Sequence, residues 1–269
     1  MNGPPPARRW AWLAVLAGGA ALYLAALDRL TATQDPAFVP AMVLLAGTVV
    51  PATFVAYAVP RPGGWRVRGW VLALAAFSGA LVGTAFAVAV DYETVRQLAP
   101  AELGAVALVE EAAKLIAPAA AIGVLGSRHA TAGPRRLTGD AHRAAADGLV
   151  VGLAIGAGFA ALETMAYTFA TLLAAQGDVG EVSQVLFARG LLAPAAHAAW
   201  TGLAGGALWR LADDPGLATG ARFAGTFVAV VAFHGLWDGL RSLAGYVAIG
   251  AVSAGWLLWQ LRRAPQSAP

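Results

Sequence analysis

Long apolar runs separated by short polar connections organise this chain. Eight can be read, at about 10–27, 38–59, 69–90, 101–126, 148–172, 184–209, 222–240 and 243–261. Each is close to the ~20 residues a helix needs to cross a bilayer. The pattern predicts an all-α, polytopic membrane helix bundle of about eight transmembrane helices, forming one integral-membrane domain over 10–261. A disordered leader (1–9, with Pro4-Pro5-Pro6) and a disordered Pro/Ser/Ala-rich tail (262–269) are expected to flank it. Arg8 and Arg9 precede the first run as they would in a signal peptide. That run is longer than a usual signal h-region and ends without a clean small-x-small site, so it reads as a retained span. The shortest connection, Arg241-Ser242, allows either a full hairpin or a re-entrant bend. The longest cytoplasmic one, Ser127 to Ala146, is too small to be a domain.

The charges between the runs set an orientation. With the N-terminus inside, most of the 18 basic residues fall on the cytoplasmic side and the outer loops are acidic, which predicts both termini in the cytoplasm. Composition agrees with a membrane protein: 59% of residues are hydrophobic and 12% charged, where a soluble domain carries about a quarter charged. The net charge of +3 is modest and its basic residues are dispersed, so no nucleic-acid partner is implied. The absence of cysteine removes disulfides, iron–sulfur clusters and thiolate metal sites, leaving His, Asp and Glu as candidate ligands. Richness in Ala, Gly and Arg suggests a GC-rich genome, hence a bacterial cell (inner) membrane.

Against this background, a few polar residues stand where they should not. Glu110, Glu111 and Lys114 lie near the middle of the fourth run, where each charge costs at least a few kcal/mol unless it faces protein or a watery cavity. Glu163 lies mid-way along the fifth run, His197 in the sixth, and His234 and Asp238 in the seventh. The two histidines are each about 18 Å from a helix end, so residues of four helices share one slab of the bilayer. Glu110 and Lys114 are spaced i, i+4 and can pair, whereas Glu111 is turned by about 100° from Glu110. Gly148, Gly152, Gly156 and Ala160 form a small-residue ridge that lets a neighbouring helix come close, and Gly202 and Gly206 act similarly below His197.

Four carboxylates facing one lysine leave an excess of negative charge that calls for protons or a cation. Two imidazoles and a carboxylate are a common donor set for catalytic zinc, and other divalent metals are compatible. The chemistry that follows is metal-assisted hydrolysis within the membrane, with a spare glutamate as base. Each piece also has a plain structural reading. The Glu110/Glu111/Lys114 group could be a buried ion pair fixing helix register, Asp238 a solvated cap, Trp200 and Trp237 packing residues, and Arg189 a snorkelling side chain. His129 and His142 lie in a basic loop and carry no assigned role.

Glu110-Glu111-Ala-Ala-Lys114 resembles the EExxK motif of the PrsW-type intramembrane metalloproteases, and Phe159-Ala-Ala-Leu-Glu163 their FxxxE motif. Pro194-Ala-Ala-His197-Ala-Ala-Trp200 and His234-Gly-Leu-Trp-Asp238 resemble their two histidine motifs, in the same order. The resemblance implies a bacterial membrane protease distantly akin to the CAAX prenyl endopeptidases. Its substrate would be a membrane-anchored, single-span protein such as an anti-sigma factor of a stress response. It further implies that Glu110, Glu111, Glu163, His197 and His234 are site residues. The assignment made on chemistry is Glu163, His197 and His234 on the metal, Glu110 or Glu111 as base beside Lys114, and Asp238 orienting an imidazole. Leu115 and Glu163 stand where the CAAX group has arginine and histidine, and Thr164 where PrsW proteins commonly have asparagine. Two other classes would use similar residues: a proton- or cation-coupled transporter, expected to show inverted repeats and interrupted helices, and a catalytically silent membrane-binding relative.

Overall fold

The computed structural model describes residues 10–33, 35–58, 67–89, 99–129, 141–176, 179–240 and 242–263. The expected leader, residue 241 of the last connection and most of the expected tail lie outside them. The chain runs through α1 (Ala11–Thr33), a single 3-10 turn (Pro36–Phe38), α2 (Val39–Ala58), α3 (Gly69–Ala89), α4 (Pro100–Lys114), α5 (Ile116–His129), α6 (Ala141–Ala174), α7 (Val179–Asp213), α8 (Leu217–Leu240) and α9 (Leu243–Arg263). Among the described residues there is no strand, and every expected span is helical. The protein is an all-α membrane helix bundle. Helices α1, α2, α6, α8 and α9 are each long and apolar enough to cross a bilayer. The last two are packed side by side as separate helices of 24 and 21 residues.

Two features differ from the hydropathy reading. Helices α6 and α7 contain 34 and 35 residues, about 50 Å each, and so extend well beyond a ~30 Å hydrocarbon core. Hydropathy registers only their apolar part, whereas good helix formers such as Ala141, Ala144, Ala145 and Ala146 carry the helix further. The loop expected over 127–146 is correspondingly shorter, since α5 continues to His129 and α6 begins at Ala141. The fourth span is also interrupted: α4 stops at Lys114, Leu115 forms a turn, and α5 restarts at Ile116. Pro118 explains the break, because it has no N–H to donate to the Lys114 carbonyl and its ring crowds that carbonyl. Leu115 instead donates to the Ala112 carbonyl at 3.1 Å, tightening the last turn.

Helix α6 is the centre of the bundle. Of its apolar window 78% is buried, against 0% for α1. Its glycines explain why two neighbours come so near. On one side, a Cβ built on Gly148 would lie 2.6 Å from the Gly205 carbonyl oxygen of α7. One on Gly152 would run into the Thr201 carbonyl, and one on Gly156 into that of His197. Across the same seam, Gly205 would meet the Gly148 carbonyl at 2.8 Å. On the other side Gly158 abuts the Ala76 carbonyl of α3, and Gly79 of α3 abuts that of Ile155. Backbones in contact gain dispersion energy that bulkier side chains would forfeit. The α6–α7 seam also sets the depth of His197, whose own carbonyl lies against Gly156.

Substituting Gly152→Val should force α6 and α7 apart, costing about 1–3 kcal/mol and lowering the melting temperature in detergent. Gly255→Val, at a position with nothing within 4 Å of the added carbon, should leave it unchanged.

Candidate active site

Helix α4 carries Glu110, Glu111 and Lys114 in its final turns, where a cation is favoured by the helix dipole. The Lys114 ammonium is 1% exposed and has four close neighbours from three helices. It lies 2.6 Å from Glu111 Oε1, 3.8 Å from Glu110 Oε2 and 3.1 Å from His197 Nδ1. Its fourth neighbour is the Phe159 ring, whose centroid is 3.7 Å away. The phenylalanine of the FxxxE segment thus supplies a cation–π face for the lysine of the EExxK segment. The pairing expected between Glu110 and Lys114 exists, but the i, i+3 pair with Glu111 is shorter.

The two adjacent glutamates reach the same imidazole from different sides. His234 Nδ1 is 2.9 Å from Glu111 Oε1, and His234 Nε2 is 3.5 Å from Glu110 Oε2. The ~100° offset between the acids lets each approach a different ring nitrogen. Asp238 Oδ2 lies 3.6 Å from His234 Nε2, its side chain 17% exposed, so it faces the histidine one turn back and is no solvated cap. Trp200 stacks on His234, with centroids 5.0 Å apart, and its Nε1–H donates to Ser253 Oγ of α9 at 2.9 Å. Trp237 packs edge-on against Trp200. Both tryptophans are buried in this stack, where they fix the ring of His234.

On the far side, Glu163 Oε2 is 2.8 Å from Arg189 Nη2 and 3.1 Å from His197 Nε2. Arg189 lies over the Tyr167 ring at 3.8 Å, so it is an ion-paired, stacked residue instead of a snorkelling one. It supplies a second cation, leaving four carboxylates against two fixed positive charges. Phe159, Glu163 and Tyr167 are spaced by four and line one stripe of α6, and Arg189 stands two turns before His197 on α7. Those spacings, together with a basic residue inside a span, were the available signals for Arg189 and Tyr167.

Hydrogen-bond chemistry orients the rings. A carboxylate only accepts, so Nδ1–H of His234 donates to Glu111, and Nε2, which faces the carboxylates of Glu110 and Asp238, is the position where a proton or a metal cation would sit between them. An ammonium only donates, so Nδ1 of His197 accepts from Lys114 and a neutral ring carries its proton on Nε2, towards Glu163. One Lys114–Glu111 pair thereby holds the rear of both imidazoles.

The donor set suits a metal ion. Glu111, His197 and His234 are all buried, with ligand atoms within 4.8 Å of one another. Glu110 Oε2, Glu163 Oε2 and His197 Nε2 are buried at ion-pair distances without an aligned hydrogen bond. A buried polar atom left in that state costs about 1–3 kcal/mol, which a cation among them would offset.

The four motifs therefore converge from α4, α6, α7 and α8. The family model for PrsW family intramembrane metalloproteases matches residues 67–260, which enclose all four. The chain belongs to the PrsW family. Like the rest of that family it is an intramembrane metalloprotease, a peptide hydrolase of the membrane whose substrates are membrane proteins. Among curated proteins and among solved structures, none matches it. The interrupted α4–α5 span, a feature expected of a coupled transporter, here belongs to a PrsW protease and ends the helix that carries its paired acids.

Replacing Lys114 by Met strands two buried carboxylates and should destabilise the protein by about 3–5 kcal/mol in a denaturant titration. Adding Glu111→Gln to Lys114→Met should recover part of that loss. Equal stability of Lys114→Met and wild type would mean that the lysine does not compensate the acids.

Proposed function

We propose that this PrsW protein is a zinc-dependent endopeptidase of the bacterial inner membrane that cuts a membrane-anchored, single-span protein such as an anti-sigma factor. The observation that carries the reading is His234 flanked by both EExxK acids, 2.9 Å and 3.5 Å away, with His197 and Glu163 beside it.

The metal would be held by His197, His234 and Glu163. Support comes from the rear clamp on His234: with Glu111 on its Nδ1, Nε2 is the end turned towards the other acids, and a metal at His197 Nε2, 3.1 Å from Glu163, would take the place of that ring's proton. A carboxylate behind a ligating imidazole is the usual means of fixing its tautomer. When bound, zinc would polarise the scissile carbonyl and acidify a water. Glu110 suits the base better than Glu111. Glu111 is committed to Lys114 and His234, whereas the nearest cation to Glu110 is 3.8 Å away. Glu110 would take the proton from the attacking water, and Asp238 would steady His234. Arg189 would keep Glu163 ionised and in place. A second reading, in which Glu111 replaces Glu163 as the carboxylate ligand, draws on the closeness of the Glu111, His197 and His234 donor atoms.

Metal content of purified protein, read by mass spectrometry, separates these readings. Glu163→Gln and His197→Ala should lose the metal, while Glu111→Gln should only weaken its binding by about 10–100-fold. The reverse ranking would make Glu111 the ligand.

Cleavage of a co-expressed single-span membrane protein should fall about 10²–10⁴-fold in Glu110→Gln, with folding intact. Normal cleavage by that variant would remove Glu110 from the chemistry. Absence of cleavage by wild type across such substrates, anti-sigma factors included, would favour the catalytically silent relative.

A further inference from the structure

A second polar site lies at the end of the bundle where α6 and α8 begin and α7 and α9 end. A cavity of about 480 Å³ opens there between the four helices, within the ~300–1,000 Å³ range of ligand pockets. Its lining includes Arg210, Arg222 and Arg263, the neutral donors Thr226 and Gln260, and the indoles of Trp256 and Trp259. Among the described residues no carboxylate lines it, although the buried Asp147 of α6 and Asp213 and Asp214 at the end of α7 lie nearby in the chain. The floor is made of small residues, Ala145 and Ala146 of α6 and Gly206 and Ala207 of α7, so the space exists because side chains are missing there. Along α7 and α8 the arginines stand about 18–20 Å from His197 and His234, which makes this pocket separate from the active site.

Helix dipoles and the bias of basic residues towards the cytoplasm would account for arginines at these helix ends. They do not account for three of them converging on one cavity, nor for the state of Arg210, whose Nε is buried with no hydrogen-bond partner. A buried donor in that state asks for an acceptor. Arg263 is already pre-positioned, its guanidinium 4.2 Å over the Trp259 ring. Trp259 is 47% exposed, and an exposed indole beside arginines is the usual furniture of the headgroup layer. Planar guanidinium groups match phosphate oxygens with paired hydrogen bonds, and basic pockets between membrane helices are suited to anionic headgroups.

We infer that this pocket binds a phosphate ester, the headgroup of an anionic phospholipid, with Arg210, Arg222 and Arg263 on the phosphate and Trp256 and Trp259 beside its glycerol and upper acyl carbons. This site does not depend on the assignment of metal ligands or base at the active site.

The test uses the full chain purified in detergent and reconstituted in nanodiscs, with tryptophan fluorescence and native mass spectrometry as readouts. Phosphatidylglycerol should bind in preference to phosphatidylcholine. Arg222→Gln and Arg263→Gln, both at exposed residues, should each weaken it about fivefold without changing the melting temperature, as should Arg210→Gln if it folds. Inorganic phosphate, titrated alone, forms the second arm. If it binds at micromolar concentration and displaces the lipid, the pocket reads free phosphate; if it does neither, the pocket reads the lipid ester, and both results support a phosphate site. Equal binding of the two lipids together with no binding of inorganic phosphate, or wild-type affinity in both exposed-arginine variants, would overturn the proposal and leave the arginines as interfacial anchors.

Discussion

One buried ion pair holds the active site together. Lys114 and Glu111 lie 2.6 Å apart on the last turn of α4, and each extends a second contact to a histidine on a different helix. A lysine and a glutamate this deeply buried lose several kcal/mol of hydration each, so the pair is no source of stability by itself. What it provides is position. The charges are tolerable only while α4, α7 and α8 keep their mutual register, so any slip of one helix exposes an unpaired charge to apolar surroundings. Electrostatic penalty here acts as a registry device for three helices.

The glycines of α6 supply the complementary constraint. Charge fixes the register of α4, α7 and α8, and backbone contact fixes how near α7 comes to α6. Gly156 meets the His197 carbonyl on one side of that seam, and Glu163, two turns along α6, meets the His197 ring. A polar cluster assembled from four helices needs both devices. Without the close seam Glu163 would fall short of His197, and without the ion pair both imidazoles would lose their Nδ1 partners.

Much of this was legible in the sequence because a membrane simplifies the reading. Apolar runs of about 20 residues mark spans, and charges within them are rare enough to be signals. The convergence of Glu110, Glu111, Glu163, His197 and His234 followed from shared depth, whereas Asp238, nearer the helix end, read equally well as a solvated cap. Other features depended on information that periodicity does not hold. A 100° turn between Glu110 and Glu111 suggests divergence only if their common partner has one acceptor point, and an imidazole has two. Arg189 looked like an interfacial residue because its partners, Glu163 and Tyr167, lie on another helix. The break at Leu115 was written in Pro118, but the length of the run over 101–126, enough for one continuous span, masked it. Helix ends beyond the hydrocarbon core, as in α6 and α7, leave no hydropathy trace at all.

The thinness of the wall beside the acids has its own consequence. Leu108 and Val109 are 47% and 56% exposed on the outer flank of α4, while Glu110 and Glu111, next in sequence, are buried against His234. Only the width of a single helix, about 10 Å, therefore separates the acyl chains from the carboxylates. Among the described residues, no second layer of protein covers Leu108 and Val109 on that flank. The flank of α4 is thus the short way from the bilayer to the acids.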